Sequence, residues 1–115
     1  MKKIEVVCAL LAFLSAFSNV YAHPPYDIKI TFDPSTKMLT AVIEHNTKNI
    51  LNHYIKTVDV ELNGSKILSH TISRQDNHNS QRVVYLIPDV KKGDVLSVEG
   101  TCSIHGKLKK FVHVN

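Results

Sequence analysis

The stretch IKTVDVELNGSKILSHTIS, residues 55–73, holds two β-prone runs joined by Asn63-Gly64. Val58, Val60 and Leu62 alternate with Thr57, Asp59 and Glu61, the period-two pattern of a strand with one face buried. Asn-Gly tolerates the positive backbone angles of a two-residue hairpin turn. The stretch therefore reads as a hairpin of strands Ile55–Leu62 and Lys66–Ser73.

The same reading extends in both directions. Tyr26–Phe32, Met38–His45, Gln81–Ile87, Asp94–Ser103 and Lys107–Val114 are short β-rich runs. Between them stand Asp33-Pro34-Ser35-Thr36, the segment Pro88-Asp89-Val90-Lys91-Lys92-Gly93 and His105-Gly106, all chain-reversal chemistry. No run has a helical period. About seven strands with regular turns predict an all-β fold, an immunoglobulin-like antiparallel β-sandwich. Alternation puts Leu39, Ala41, Ile43 and His45 on one face. Likewise Leu96, Val98, Gly100, Cys102 and Ile104 share a face, so both His45 and Cys102 end apolar rows.

The start of the chain speaks to compartment. Lys2 and Lys3 precede an apolar run, VVCALLAFLSAF at Val6–Phe17, and Val20-Tyr21-Ala22 offers a cleavage site. Residues 1–22 read as a secretory signal peptide and residues 23–115 as one small domain, periplasmic or secreted. The run is too short for a membrane span of about 20 apolar residues, so no stable membrane anchor is expected. Cleavage would remove Cys8 and leave Cys102 as the one cysteine, which excludes an internal disulfide. The net charge of +4 comes from scattered lysines. Lys107, Lys109 and Lys110 alternate along a strand as a solvated face does. No dense basic stripe with interleaved aromatics is present, and nucleic acid is not an expected partner.

What remains is an unpaired thiol in an exported chain with seven histidines. In CSIHG, residues 102–106, Cys102 and His105 have the short spacing by which a strand end and its turn present a thiolate and an imidazole to one ion. His23, His45 and His53 also fall at the ends of predicted elements, where the loops of a sandwich converge. His70, His78 and His113 lie in a strand, a polar loop and the last strand, and are expected to be surface residues. Structural zinc needs only four ligands and usually takes more cysteines, so five donors with one thiolate favour a redox iron. Thiolate with imidazoles suits copper as well, and residue types alone leave the metal open.

Two segments narrow it. His53-Tyr54-Ile55 with the alternating strand that follows, and Cys102-Ser103-Ile104-His105-Gly106, resemble the signature segments of the superoxide reductases, the iron-binding domain of desulfoferrodoxin and neelaredoxin. His23-Pro24-Pro25 resembles the family's first ligand segment, and His45-Asn46 matches its second in the histidine alone. The resemblance implies a mononuclear non-haem iron held by His23, His45, His53 and His105 with the Cys102 thiolate axial. It implies reduction of superoxide to hydrogen peroxide, with an external electron donor. The chain departs from the family in having Tyr21-Ala22 where Glu-Lys precedes the first histidine, a longer segment between His45 and His53, and no tryptophan after Gly106. Two other classes compete. A cupredoxin-like copper electron-transfer protein would share the exported sandwich and the Cys-x-x-His segment, but normally adds a methionine after it, and none follows Cys102. A metal-free binding module would carry CSIHG as a remnant.

Overall fold

The computed structural model describes residues 23–115, and the proposed signal peptide lies outside the described residues. Seven strands form: β1 Asp27–Asp33, β2 Met38–Glu44, β3 Ile55–Leu62, β4 Ser65–Thr71, β5 Ser80–Leu86, β6 Val95–Cys102 and β7 Lys107–His113. They make two antiparallel sheets, β1-β2-β5 and β4-β3-β6-β7. This is the expected sandwich, and β4 pairs with β3 as the Asn63-Gly64 hairpin requires. None of the described residues forms a helix long and apolar enough to cross a membrane.

Each expected strand appears, within a residue or two of its expected ends. The Asn63-Gly64 turn has φ of 51° and 86° at its two central residues, the double left-handed conformation that lets β3 and β4 pair through a two-residue loop. Side-chain alternation then builds the core. Leu39, Ala41 and Ile43 of β2 face Val58 and Val60 of β3 and Leu96 and Val98 of β6, all fully or almost fully buried. At Gly100 the sheets approach so closely that an added Cβ would lie 3.0 Å from Ile43 Cγ2.

One irregularity positions the site. Ile55 pairs with Cys102 but Thr57 pairs with Thr101, so Lys56 is an extra residue in β3. This bulge reverses the side-chain parity, which lets odd-numbered Ile55 and even-numbered Val58 both enter the core. The displaced Lys56 carbonyl is not left bare, because it accepts the Ile72 N–H at 2.7 Å. The bulge lies at the start of β3, three residues after His53.

Because neighbouring strands run antiparallel, the starts of β1, β3, β5 and β7 and the ends of β2, β4 and β6 gather at one end of the sandwich. All five expected ligands lie at that end. Ile104 is a correction: β6 stops at Cys102, the chain turns, and Ile104 is 52% exposed rather than part of the inward row.

Candidate metal centre

His45 continues the buried row of β2 one residue beyond the strand and is fully buried. The ladder of β2 and β5 extends past the strand ends to hold it: the His45 N–H donates to the Asn79 carbonyl and the Thr47 N–H to the His78 carbonyl. His53 arrives on a turn organised by Asn49, whose carbonyl accepts the His53 N–H at 2.9 Å. His23 lies ahead of β1, where the Tyr26 N–H ties the segment to the Glu44 carbonyl.

These three imidazoles converge. Their ring centroids are 4.9 Å apart for His23 and His45, 4.9 Å for His23 and His53, and 4.7 Å for His45 and His53. One potential donor nitrogen from each lies within 4.8 Å of the other two. The rings are tilted or edge-on, at 49°, 68° and 88°, so the cluster is not a stack.

Hydrogen bonding fixes which nitrogens are free. Gln75 is fully buried, and its Nε2 donates to the carbonyls of His45 and Asn77, each at 2.8 Å. Its Oε1 is therefore an acceptor, and the His45 Nδ1 lying 2.8 Å away must be the N–H donor. In a neutral imidazole that leaves the lone pair on Nε2. The nearest partner of this atom is the His23 carbonyl oxygen at 3.3 Å, which has no hydrogen to give it. His23 Nδ1 lies 3.1 Å from the Pro24 carbonyl, so in that ring too Nε2 is left for a ligand. The His53 Nε2 is buried with no hydrogen-bond partner among the described residues. Neutrality is favoured electrostatically: burial first, then the neighbouring histidines, hold the His45 and His53 rings below the ordinary histidine range, against the Gln75 bond to His45. Three imidazoles with a potential donor nitrogen each within 4.8 Å of the others have the residue types and spacing of a metal-ligand group.

Cys102 and His105 do not belong to the three-histidine group. Cys102 is buried at the end of β6, opposite Ile55 and hence beside the His53 segment. His105 is exposed in the turn after it. That turn is nonetheless fastened to the cluster's supports. The Ser103 N–H donates to the Tyr54 carbonyl at 2.8 Å, and Ser103 Oγ accepts the Tyr54 N–H and donates to the Asn52 carbonyl, so one serine brackets His53. Gly106, at φ 89°, lies so close to the segment after His23 that a Cβ there would meet Pro24 Cβ at 2.8 Å.

Of the histidines expected at the surface, His113 is exposed and His70 bonds the Tyr85 hydroxyl at 2.8 Å. His78 is exposed too, but its ring bonds the Thr47 carbonyl and lines a cleft of about 610 Å³ that His23 and His53 also border. Sequence reasoning missed Gln75. A glutamine inside the polar run SRQDNHNSQ carries no periodicity that distinguishes it from its solvated neighbours. No protein-family model matches the chain, and no curated protein matches it.

Proposed function

We propose that the protein is an exported mononuclear metal protein of superoxide reductase type, its iron held by His23, His45 and His53 with Cys102 and His105 as the further donors. The observation that carries the reading is the convergence of three imidazoles whose free nitrogens have no hydrogen-bond donor facing them. The three imidazoles fit the group, since imidazole suits iron, and the buried Cys102 thiol near the His53 segment suits a metal better than it suits an oxidising compartment. Bound iron would supply the one electron that, with two protons, converts superoxide to hydrogen peroxide. The chain's own residues do the rest. Gln75 holds His45 in the tautomer that offers Nε2, and a bond of this kind also raises ligand basicity. The Asn49 turn and Ser103 fix His53 from both sides. The cleft beside His23 and His53 gives solvent, protons and a small anion a route inward.

The position of Cys102 and His105 outside the histidine group favours a second reading, in which the three imidazoles alone hold copper or zinc. Metal analysis of protein purified from its native compartment, followed by superoxide consumption and visible spectroscopy, separates the two. About one iron per chain with an absorption that Cys102→Ser abolishes supports the first. Copper or zinc with a spectrum indifferent to Cys102 overturns it.

A further inference from the structure

The cleft next to the histidines is much larger than a diatomic substrate needs. It measures about 610 Å³, within the range of about 300–1,000 Å³ that holds small organic ligands, whereas one water occupies about 30 Å³. Besides His23 and His53 its lining is Asn46, Thr47, Lys48, Asn49, His78 and Asn79. That wall holds one ammonium and no carboxylate. We infer that the cleft is a binding site for a small organic carboxylate, which Lys48 and the Asn46 and Asn79 amides recognise at one end while its other end faces the histidine centre.

Two observations point to a ligand of this chemistry. First, the recognising groups are free: among the described residues the Lys48 ammonium makes no ion pair, and the side-chain amides of Asn46 and Asn79 make no hydrogen bond. Five other lysines of the sandwich, Lys29, Lys66, Lys107, Lys109 and Lys110, do pair with a carboxylate. Second, the wall is built rather than loose. Thr47 Oγ1 accepts the Asn49 N–H at 3.1 Å, Asn49 Oδ1 accepts the Leu51 N–H at 3.1 Å, and Asn77 Oδ1 accepts the N–H groups of Asn79 and Ser80. With His78 bonded to the Thr47 carbonyl, the 46–49 and 77–79 segments are tied to each other. A preformed wall with an unpaired cation and unpaired amides loses little conformational freedom when a carboxylate docks. The inference rests on the metal-centre reading only for what lies at the inner end of the cleft.

Calorimetric titration tests it, with malonate as the probe and uncharged malonamide as the control, on the protein as purified and again after treatment with a chelator. Malonate is expected to bind both forms, and Lys48→Ala to weaken it about tenfold, a typical value for one partly exposed charge-assisted hydrogen bond. Lys48→Arg should restore most of the affinity, and added salt should weaken binding to the parent protein more than to Lys48→Ala. Equal affinities for malonate and malonamide, or malonate binding indifferent to Lys48→Ala, would overturn the proposal. Metal content is measured on the same samples. Iron retained with no malonate bound removes the cleft site alone, whereas malonate bound by protein that never retains metal keeps the cleft site and removes the metal centre.

Discussion

Replacing Gln75 separates the roles that one side chain combines. Gln75→Met keeps the volume and removes three hydrogen bonds of 2.8 Å: the acceptor for His45 Nδ1 and the donors to the His45 and Asn77 carbonyls. A buried donor left unpaired costs about 1–3 kcal/mol, and the site has no exposure through which water could replace the glutamine. With two carbonyls also stripped, the loss in unfolding free energy should be about 3 kcal/mol. Metal affinity should fall by about ten- to hundredfold, because the His45 ring becomes free to turn or change tautomer. Gln75→Glu distinguishes the causes. It loses both donor bonds but keeps an oxygen facing Nδ1, so it should be destabilised to a similar degree yet retain metal far better than Gln75→Met. Denaturant unfolding of the metal-free protein gives the first quantity, and competition against a chromophoric chelator gives the second. If both variants lose metal equally, or if Gln75→Met keeps full affinity, the tautomer argument is wrong.

Other outcomes follow from the same contacts. His45→Ala and His53→Ala should each abolish tight metal retention, whereas His70→Ala, whose ring bonds Tyr85 instead, should leave metal content unchanged; equal losses in elemental analysis would dissolve the three-histidine group. Gly106→Ala should loosen metal without touching a donor, since its Cβ must displace Pro24 from 2.8 Å in a left-handed backbone position, at a cost of about 1 kcal/mol or more for the conformation alone; chelator competition reads this. Ile43→Ala should destabilise the sandwich by about 2–5 kcal/mol in denaturant unfolding, because Ile43 fills the closest approach between the sheets. Burial, with the Asp59 charge, pushes the Tyr85 phenol up to about 12. An unfolded tyrosine ionises near 10, so the unfolded chain holds fewer protons than the native state between those values. Stability should therefore fall as pH rises through that window. Tyr85→Phe should flatten the alkaline limb, and ultraviolet titration should show one late-ionising phenol.

The fold was readable because its signals are local. Each strand is a run of seven to ten residues with its own alternation, and Asn63-Gly64 admits hardly any structure but a tight reversal. Even the burial of His45 could be read, since it continues the row of Leu39, Ala41 and Ile43. The Lys56 bulge could not, because inserting one residue leaves both flanking patterns intact and reveals itself only when Ile55 and Val58 must face the same core. Ile104 misled for the opposite reason: the alternation ran on in the sequence past the point where the strand's hydrogen bonds stop.

The site divides along the same line. His23, His45 and His53 could be grouped from their positions at element ends, because in an antiparallel sandwich the start of β1, the end of β2 and the start of β3 must share one end. Their tautomers could not be grouped, since these depend on Gln75, thirty residues beyond His45, and on main-chain carbonyls that have no sequence signature. Placing the three imidazoles is thus a matter of topology, while setting their protons is a matter of hydrogen bonds from loops. The two can be varied independently. Gln75→Met leaves the histidine positions and disturbs their protons, whereas Gly106→Ala leaves the protons and disturbs a position. Both changes should lower metal affinity, but only the first should spare the register of the His23 segment. Amide exchange at Tyr26, whose N–H reports that segment through its bond to the Glu44 carbonyl, should accelerate in Gly106→Ala and stay near its original rate in Gln75→Met.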